Sequence, residues 1–182
     1  MGDGNLDTFV MFGAVYNDVA TAEADYQTVK DLYYNTGLID TFDAAVIGKN
    51  EKGKVKIYKK HEQPTRQGGW VGAGVGLAAG LVAALFPAAA IGTGLLAGTT
   101  ATGAGLGAIA GHVAGGMDRS DLKDLGEKLD NGEAGLVVAA ASDMEDRVAA
   151  AIVQADEILR NQAVIDAAAA AEELDLAANE NS

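Results

Sequence analysis

The pattern of apolar and polar positions divides the chain into short alternating elements around one long uncharged stretch. Residues 8–16 (TFVMFGAVY) are almost continuously apolar over nine positions and rich in aromatic and branched side chains, which favours a buried β-strand. A helix is predicted next, beginning after Asn17 or Asp18 and ending at Gly37. Its apolar positions recur in steps of three and four along one face, at Val19, Ala22, Tyr26, Val29 and Tyr33.

Two further strands are predicted to form an antiparallel hairpin. Residues 42–48 (FDAAVIG) and 54–60 (KVKIYKK) flank a short polar segment that ends in Gly53, the residue type that a tight turn favours. Successive side chains of a strand point to opposite faces, so only one face of the second strand is suited to burial. The other face carries Lys54, Lys56 and Lys60.

The last third of the chain contains a helix, a strand and a second helix. Residues 118–129 have leucines at helical spacing, and residues 135–141 (GLVVAAA) form a compact apolar strand candidate. Residues 142–145 (SDME) match a capping box that opens a further helix. Because neither glycine nor proline follows, this helix either continues to the tail or breaks near Asp156 for a strand at 157–162.

Residues 67–117 form the uncharged stretch: 51 positions without Asp, Glu, Lys or Arg, and with 15 of the 24 glycines of the chain. Pro87 divides it into two halves, and each half is predicted to be a helix. Glycines four residues apart form a strip where another helix backbone can approach closely. The two predicted helix-packing strips are Gly72, Gly76 and Gly80 in the first half, and Gly103, Gly107, Gly111 and Gly115 in the second.

A basic segment stands directly before the uncharged stretch. Residues 49–66 contain seven lysines and arginines against two glutamates, a local charge of +5 in a chain of −13. Such a segment is typical of a surface that faces anionic lipid on the cytoplasmic side of a membrane. The predicted membrane-surface residues are Lys54, Lys56, Lys60, Arg66 and Trp70. The glycine-rich hairpin has three environments open to it: lipid, the core of a homo-oligomer, or the chain's own sheet.

Composition excludes several classes of function. A net charge of −13 and a pI of about 4.4 argue against general binding to nucleic acid, which needs a positive face. The absence of cysteine removes disulfides, thiol nucleophiles and thiolate metal sites. No set of nucleophile, base and orienting residue is recognisable, and the glycine-rich runs lack the Gly-Lys-Ser/Thr ending of a phosphate-binding loop. We therefore predict no catalytic residues, cofactor or metal, and a cytoplasmic location because the N-terminal residues lack the features of a secretory signal.

The order of elements resembles that of one bacterial protein family. The stretches that carry the resemblance are TFVMFGAVY, AAVIGKNEKGKVKIY, the block from WVGAGVGLAAGLVAALFP to GAGLGAIAGHVAGG, and DLKDLGEKLDNGEAGLVVAAA. The family is of unknown function, and its members are often labelled general-stress or membrane proteins. The resemblance implies an α+β fold: a ferredoxin-like antiparallel sheet with helices on one face, interrupted by a glycine-zipper hairpin. It implies no catalytic residues.

These observations predict four segments and a function without catalysis. The segments are a first ferredoxin-like half (1–66), the glycine-zipper hairpin (67–117), a second half (118–164) and an acidic alanine-rich tail (165–182). The predicted function is homo-oligomerisation through the hairpin, in or on the cytoplasmic membrane. The alternative is a soluble homo-oligomer, structural or ligand-storing, with the hairpin buried between subunits. An enzyme with a pocket on the sheet rests on analogy of fold alone.

Overall fold

The computed structural model describes residues 6–61, 77–86, 103–166 and 169. Short 3-10 turns lie at Ile39–Thr41 and Ser142–Met144. The strands and helices of the described residues are, in chain order, β1 (Leu6–Tyr16), α1 (Val19–Asn35), β2 (Asp43–Lys49), β3 (Val55–His61), α2 (Leu77–Leu85), α3 (Gly103–Gly116), α4 (Arg119–Asn131), β4 (Ala134–Ala141), α5 (Glu145–Ala151) and β5 (Glu157–Asp166).

The five strands form a single antiparallel sheet in the order β3-β2-β4-β1-β5. β1 runs between β4 and β5, with Tyr16 opposite Ala134 and Val15 opposite Glu157. β2 runs between β3 and β4, which leaves β3 and β5 as the two edges of the sheet. The predicted α+β class with an antiparallel sheet is confirmed.

Helices cover both faces of the sheet. α1 and α5 pack on one face, whereas α2, α3 and α4 pack on the other. The prediction of helices on one face holds for α1 and α5 but is wrong for α4, which follows the hairpin onto the opposite face. Because side chains alternate along a strand, each central strand supplies both cores, which explains its continuous apolarity. Strand residues of the first core include Val10, Phe12, Ala44, Val46, Leu136 and Val138, and those of the second include Phe9, Met11, Ala45, Ile47, Val137 and Ala139.

The first helix begins and ends where the sequence predicts. The side chain of Asp18 accepts a hydrogen bond from the backbone N–H of Thr21 at 2.7 Å, which satisfies an otherwise unpaired donor at the helix start. This backbone hydrogen bond is the main cause that lowers the pKa of Asp18. Gly37 follows the helix with φ of +73°, a left-handed conformation that glycine adopts without strain.

The hairpin of β2 and β3 is confirmed, and its turn is held by one side chain. Asn50 Oδ1 accepts from the backbone N–H of Lys52 at 2.9 Å and of Lys54 at 3.0 Å. Gly53 takes a φ of +70°, as the prediction of a turn glycine requires. The register shifts between Val46 and Ile47, because Tyr58 of β3 is an extra residue without an opposite partner in β2, as is typical of a β-bulge.

The sequence allows either a continuous helix or a strand after Asp156, and the structure shows a strand. α5 ends at Ala151, and β5 runs antiparallel to β1 from Glu157 to Asp166, two residues into the segment predicted as tail. The predicted capping box is wrong: residues 142–144 form a 3-10 turn, and no side chain caps α5. β1 has a free edge that β5 occupies, so tertiary pairing decides the conformation where local sequence permits a helix.

Candidate functional site

The glycine strip of α3, comprising Gly103, Gly107, Gly111 and Gly115, lies along one side of the helix because its members are four residues apart. Gly111 and Gly115 are exposed, and a Cβ atom added to either would meet no atom of the described residues within 4 Å. On the opposite side of α3, Val113 and Met117 are buried in the core against the sheet. Gly111 and Gly115 of the strip therefore face away from the sheet.

The predicted strip of the first half is only partly described. Gly80 belongs to α2 and is buried. Gly72 and Gly76 lie outside the described residues. The described glycine surface therefore belongs to the second half of the hairpin.

The described parts of the hairpin lie against the chain's own sheet. α2 buries Leu77, Ala78, Leu81 and Val82 in the same core as the strands. α2 also packs beside α3 and contacts β2 and β4. The sequence left three environments open for the hairpin: lipid, the core of a homo-oligomer, or the chain's own sheet. The described residues of α2 lie in the third of these.

A buried carboxylate anchors α2 to the sheet. Asp43, at the start of β2, is 4% exposed. Its Oδ2 accepts from the backbone N–H of Leu77 at 2.7 Å, and its Oδ1 accepts from that of Ala78 at 3.3 Å. These are the first two residues of α2, whose N–H groups lack partners within the helix. Asp43 is not among the residues that the sequence predicts to be functional. The sequence feature that could have indicated its role is a single acidic residue at the start of an apolar strand.

The glycine that allows close packing of α3 is Gly116, outside the predicted strip. A Cβ at Gly116 would stand 2.4 Å from the carbonyl oxygen of Val164 and 3.1 Å from the Ile165 side chain, both in β5. Only glycine permits this approach of helix to strand. The four-residue spacing selected Gly115, whereas the neighbouring position makes the contact within the subunit.

The basic edge, which comprises Lys49, Lys52, Lys54, Lys56 and Tyr58, extends from the last residue of β2 through the turn onto the outermost strand β3. Lys52, Lys54 and Lys56 are exposed, and Tyr58 is 44% exposed. Of the other predicted membrane-surface residues, Lys60 belongs to β3, and Arg66 and Trp70 lie outside the described residues.

The ring of Tyr58 lies across Gly48 of the neighbouring strand. A Cβ at Gly48 would stand 2.9 Å from the Tyr58 ring and 2.5 Å from Val19, so the absence of a side chain creates the space for the ring. The Tyr58 hydroxyl donates to the carbonyl oxygen of Lys49 at 3.4 Å. The Lys56 ammonium lies 5.9 Å from the ring centre, within the range of a cation–π contact.

A second buried carboxylate, Asp25, joins α1 to the end of β1. It is fully buried, and its Oδ2 accepts from the Tyr16 hydroxyl at 2.9 Å and from the backbone N–H of Gln154 at 2.8 Å. Burial, followed by the hydrogen bond to Asp25, raises the pKa of Tyr16. The three groups connect β1, α1 and the loop before β5, so we interpret this cluster as a structural contact that stabilises the tertiary fold.

The tyrosines of α1 predict a loss of stability in alkali. Burial raises the pKa of Tyr26 to about 12, while an unfolded chain releases this proton near about pH 10. The folded state therefore retains the proton longer, and stability falls as pH rises above about 10. Burial also raises the pKa of Tyr33, with further contributions from the charges of Asp43 and Asp143.

Tyr26→Phe is expected to weaken this alkaline loss. Between about pH 9 and about pH 11, the free energy of unfolding should fall by about 1 kcal/mol less in the variant than in the wild type. Urea denaturation at each pH measures the difference. Tyr34→Phe is the control because Tyr34 is 72% exposed, and it should follow the wild type. Equal losses in Tyr26→Phe and the wild type would contradict the argument.

An open groove lies between the end of α2 and α4. Its volume is about 530 Å³, within the size range of ligand pockets. Leu85, Phe86 and Leu122 supply its apolar wall. Four charged residues surround that wall: Arg119, Lys123, Glu127 and Asp130.

Two findings concern the described residues as a whole. They contain no group of three or more His, Asp or Glu side chains placed to hold a metal ion. None of their helices combines the length and apolarity needed to cross a membrane. No family model, no curated protein and no solved structure matches this chain.

Proposed function

We propose that this protein is not an enzyme and that its copies associate with one another through the glycine strip of α3, in or on the cytoplasmic membrane. One observation carries the proposal: Gly111 and Gly115 are exposed on the side of α3 that faces away from the sheet, and no described residue lies within 4 Å of a Cβ added there. The buried side of the same helix already serves the subunit through Val113 and Met117.

The energetics of glycine support a partner for this side. Each glycine within a helix costs about 1 kcal/mol relative to alanine. Packing among the described residues of the subunit gives a reason for Gly116 but none for Gly111 or Gly115. A second helix backbone offsets the cost because it can approach a glycine strip more closely than any other helix surface. A two-fold pair of α3 helices brings one strip against the other, which closes the association at a dimer.

The proposal includes a ferredoxin-like unit, which the strand order supports. The chain contains two β-α-β units, β1-α1-β2 and β4-α5-β5, whose strands interleave in the sheet. β4 lies between β1 and β2, and β1 lies between β4 and β5. α1 and α5 share one face of the sheet. β3 is then an added edge strand, and the segment from α2 to α4 is an insertion. This arrangement agrees with the resemblance to the general-stress and membrane-protein family, which stays a prediction.

The alternative proposal is a soluble homo-oligomer, structural or ligand-storing. The docking of α2 and α3 on their own sheet favours it, and the groove of about 530 Å³ beside α2 offers space for a ligand. Both proposals use the same glycine contact between copies. Cell fractionation distinguishes them, because recovery entirely without detergent would exclude the membrane version.

Leucine at two strip positions is expected to abolish self-association. In Gly111→Leu/Gly115→Leu the new side chains project into open space, so the subunit should fold while a second backbone can no longer approach. Light scattering should give the mass of a dimer for the wild type and the mass of a single chain for the variant.

The matched control adds two leucines at neutral exposed positions of α1. Gln27→Leu/Thr28→Leu should keep the mass of the wild type, because α1 packs on the other face of the sheet. A monomeric wild type, or a strip variant with unchanged mass, would refute the proposal.

A further inference from the structure

The cations of the basic edge have no acidic partners in the part of the chain that the structure describes. No described acid lies within ion-pair distance of Lys49, Lys52, Lys54 or Lys56. By contrast, the exposed cations elsewhere include the pairs Lys123–Glu127, Lys128–Glu157 and Arg160–Glu145. The charge of the basic edge is therefore available to an external anion.

The position of these lysines argues against an added strand as the partner. β3 is an edge strand, and an unpaired edge invites pairing with another chain. Charged residues on an edge strand, lysine above all, oppose such pairing. A partner of the basic edge therefore contacts lysine ammonium groups and the Tyr58 ring rather than backbone N–H and C=O groups.

The rest of the protein is acidic and would repel an anionic partner. Such a partner must therefore contact the basic edge without contacting the rest of the surface. The sheet is five strands wide, so its far edge lies about 19 Å away at strand spacings of about 4.8 Å. Charges separated by more than about 8 Å are largely screened at physiological salt. Glu51 in the turn and the exposed Glu133 beside β2 are the nearby acids that reduce the local charge.

We propose that the basic edge docks on an anionic phospholipid bilayer, with the lysines at the headgroups and the Tyr58 ring at the interface. Lysine is a point charge that suits mobile headgroups, and tyrosine is enriched at membrane interfaces because its ring is apolar and its tip polar. Nucleic acid fits less well, since residues 43–61 contain no arginine and one aromatic residue for stacking. This inference specifies the membrane part of the proposed function.

Flotation of the full chain with lipid vesicles tests the docking. We expect binding to phosphatidylcholine vesicles that contain about one third phosphatidylglycerol, and weaker binding as salt rises from about 50 mM to about 300 mM. Each lysine near an anionic surface raises partitioning about fivefold, so Lys52→Gln/Lys54→Gln/Lys56→Gln should bind on the order of a hundredfold more weakly. Lys54→Glu is a second variant at an exposed position, with an expected loss above tenfold.

The control removes the same charge from another exposed element. Arg119→Gln/Lys123→Gln/Lys128→Gln on α4 should bind as the wild type does. Equal binding to neutral vesicles, unchanged binding of both edge variants, or tighter binding to a short DNA duplex than to anionic vesicles would overturn the proposal. The strip variant Gly111→Leu/Gly115→Leu should still float with vesicles, so loss of self-association and loss of lipid binding are separate results.

Discussion

Replacing Asp43 with alanine is expected to lower the free energy of unfolding by about 2 to 4 kcal/mol. The substitution removes the acceptor of two buried backbone N–H groups, those of Leu77 and Ala78. Each unsatisfied buried donor costs about 1 to 3 kcal/mol. Urea denaturation measures the total effect.

The loss should be concentrated in the inserted helices. Hydrogen exchange in Asp43→Ala should rise in α2 and in the end of α3 before it rises in β1 or β4, because the anchor joins α2 to β2. Asp43→Asn retains one acceptor oxygen and should lose less. Asp18→Ala removes an exposed helix cap and should cost about 1 kcal/mol without affecting α2. Equal losses for Asp18→Ala and Asp43→Ala would contradict the role of Asp43.

Two glycines of one helix are expected to respond to alanine with opposite signs. Gly116→Ala places a Cβ against the backbone carbonyl of Val164, so α3 and β5 must separate, and the free energy of unfolding should fall by about 1 to 3 kcal/mol. Gly111→Ala places the same atom in open space and should raise it by about 0.5 to 1 kcal/mol through helix propensity.

Thermal and urea denaturation at low protein concentration measure this pair. Low concentration separates the stability of the subunit from self-association, which links stability to protein concentration. If Gly111→Ala lowers the free energy of unfolding, a close neighbour must lie on the strip side of α3. A neutral Gly116→Ala would mean that β5 yields without cost. Either result would remove the distinction between the two sides of the helix.

The membrane-surface and self-association hypotheses now depend on different parts of the molecule. The glycine strip lies on α3, which packs against the sheet beside β5, whereas the basic edge lies on β3 at the other edge. A subunit can therefore contact a second copy and an anionic surface at the same time. The vesicle and light-scattering experiments address each contact independently.

Local sequence determined the elements whose signals are local. Asp18 marks the start of α1 and Gly37 marks its end, because capping and a left-handed conformation are properties of a few residues. Gly53 ends the turn of the hairpin for the same reason. Side-chain alternation, which backbone geometry fixes, placed Lys56 on the exposed side and Ile57 on the buried side of β3. The register shift at Tyr58 then interrupts the alternation that the sequence predicts for the whole strand.

Contacts between distant residues decided the rest. β5 is a strand because the edge of β1 offers backbone partners more than 140 residues away, whereas its own sequence also permits a helix. The roles of Asp43 and Gly116 arise from groups 34 and 48 residues distant, which no periodic pattern can reveal. The glycine spacing identified a strip from the sequence alone. Only the tertiary structure showed that Gly111 and Gly115 of this strip face away from the sheet, because the face that a helix buries depends on what it packs against.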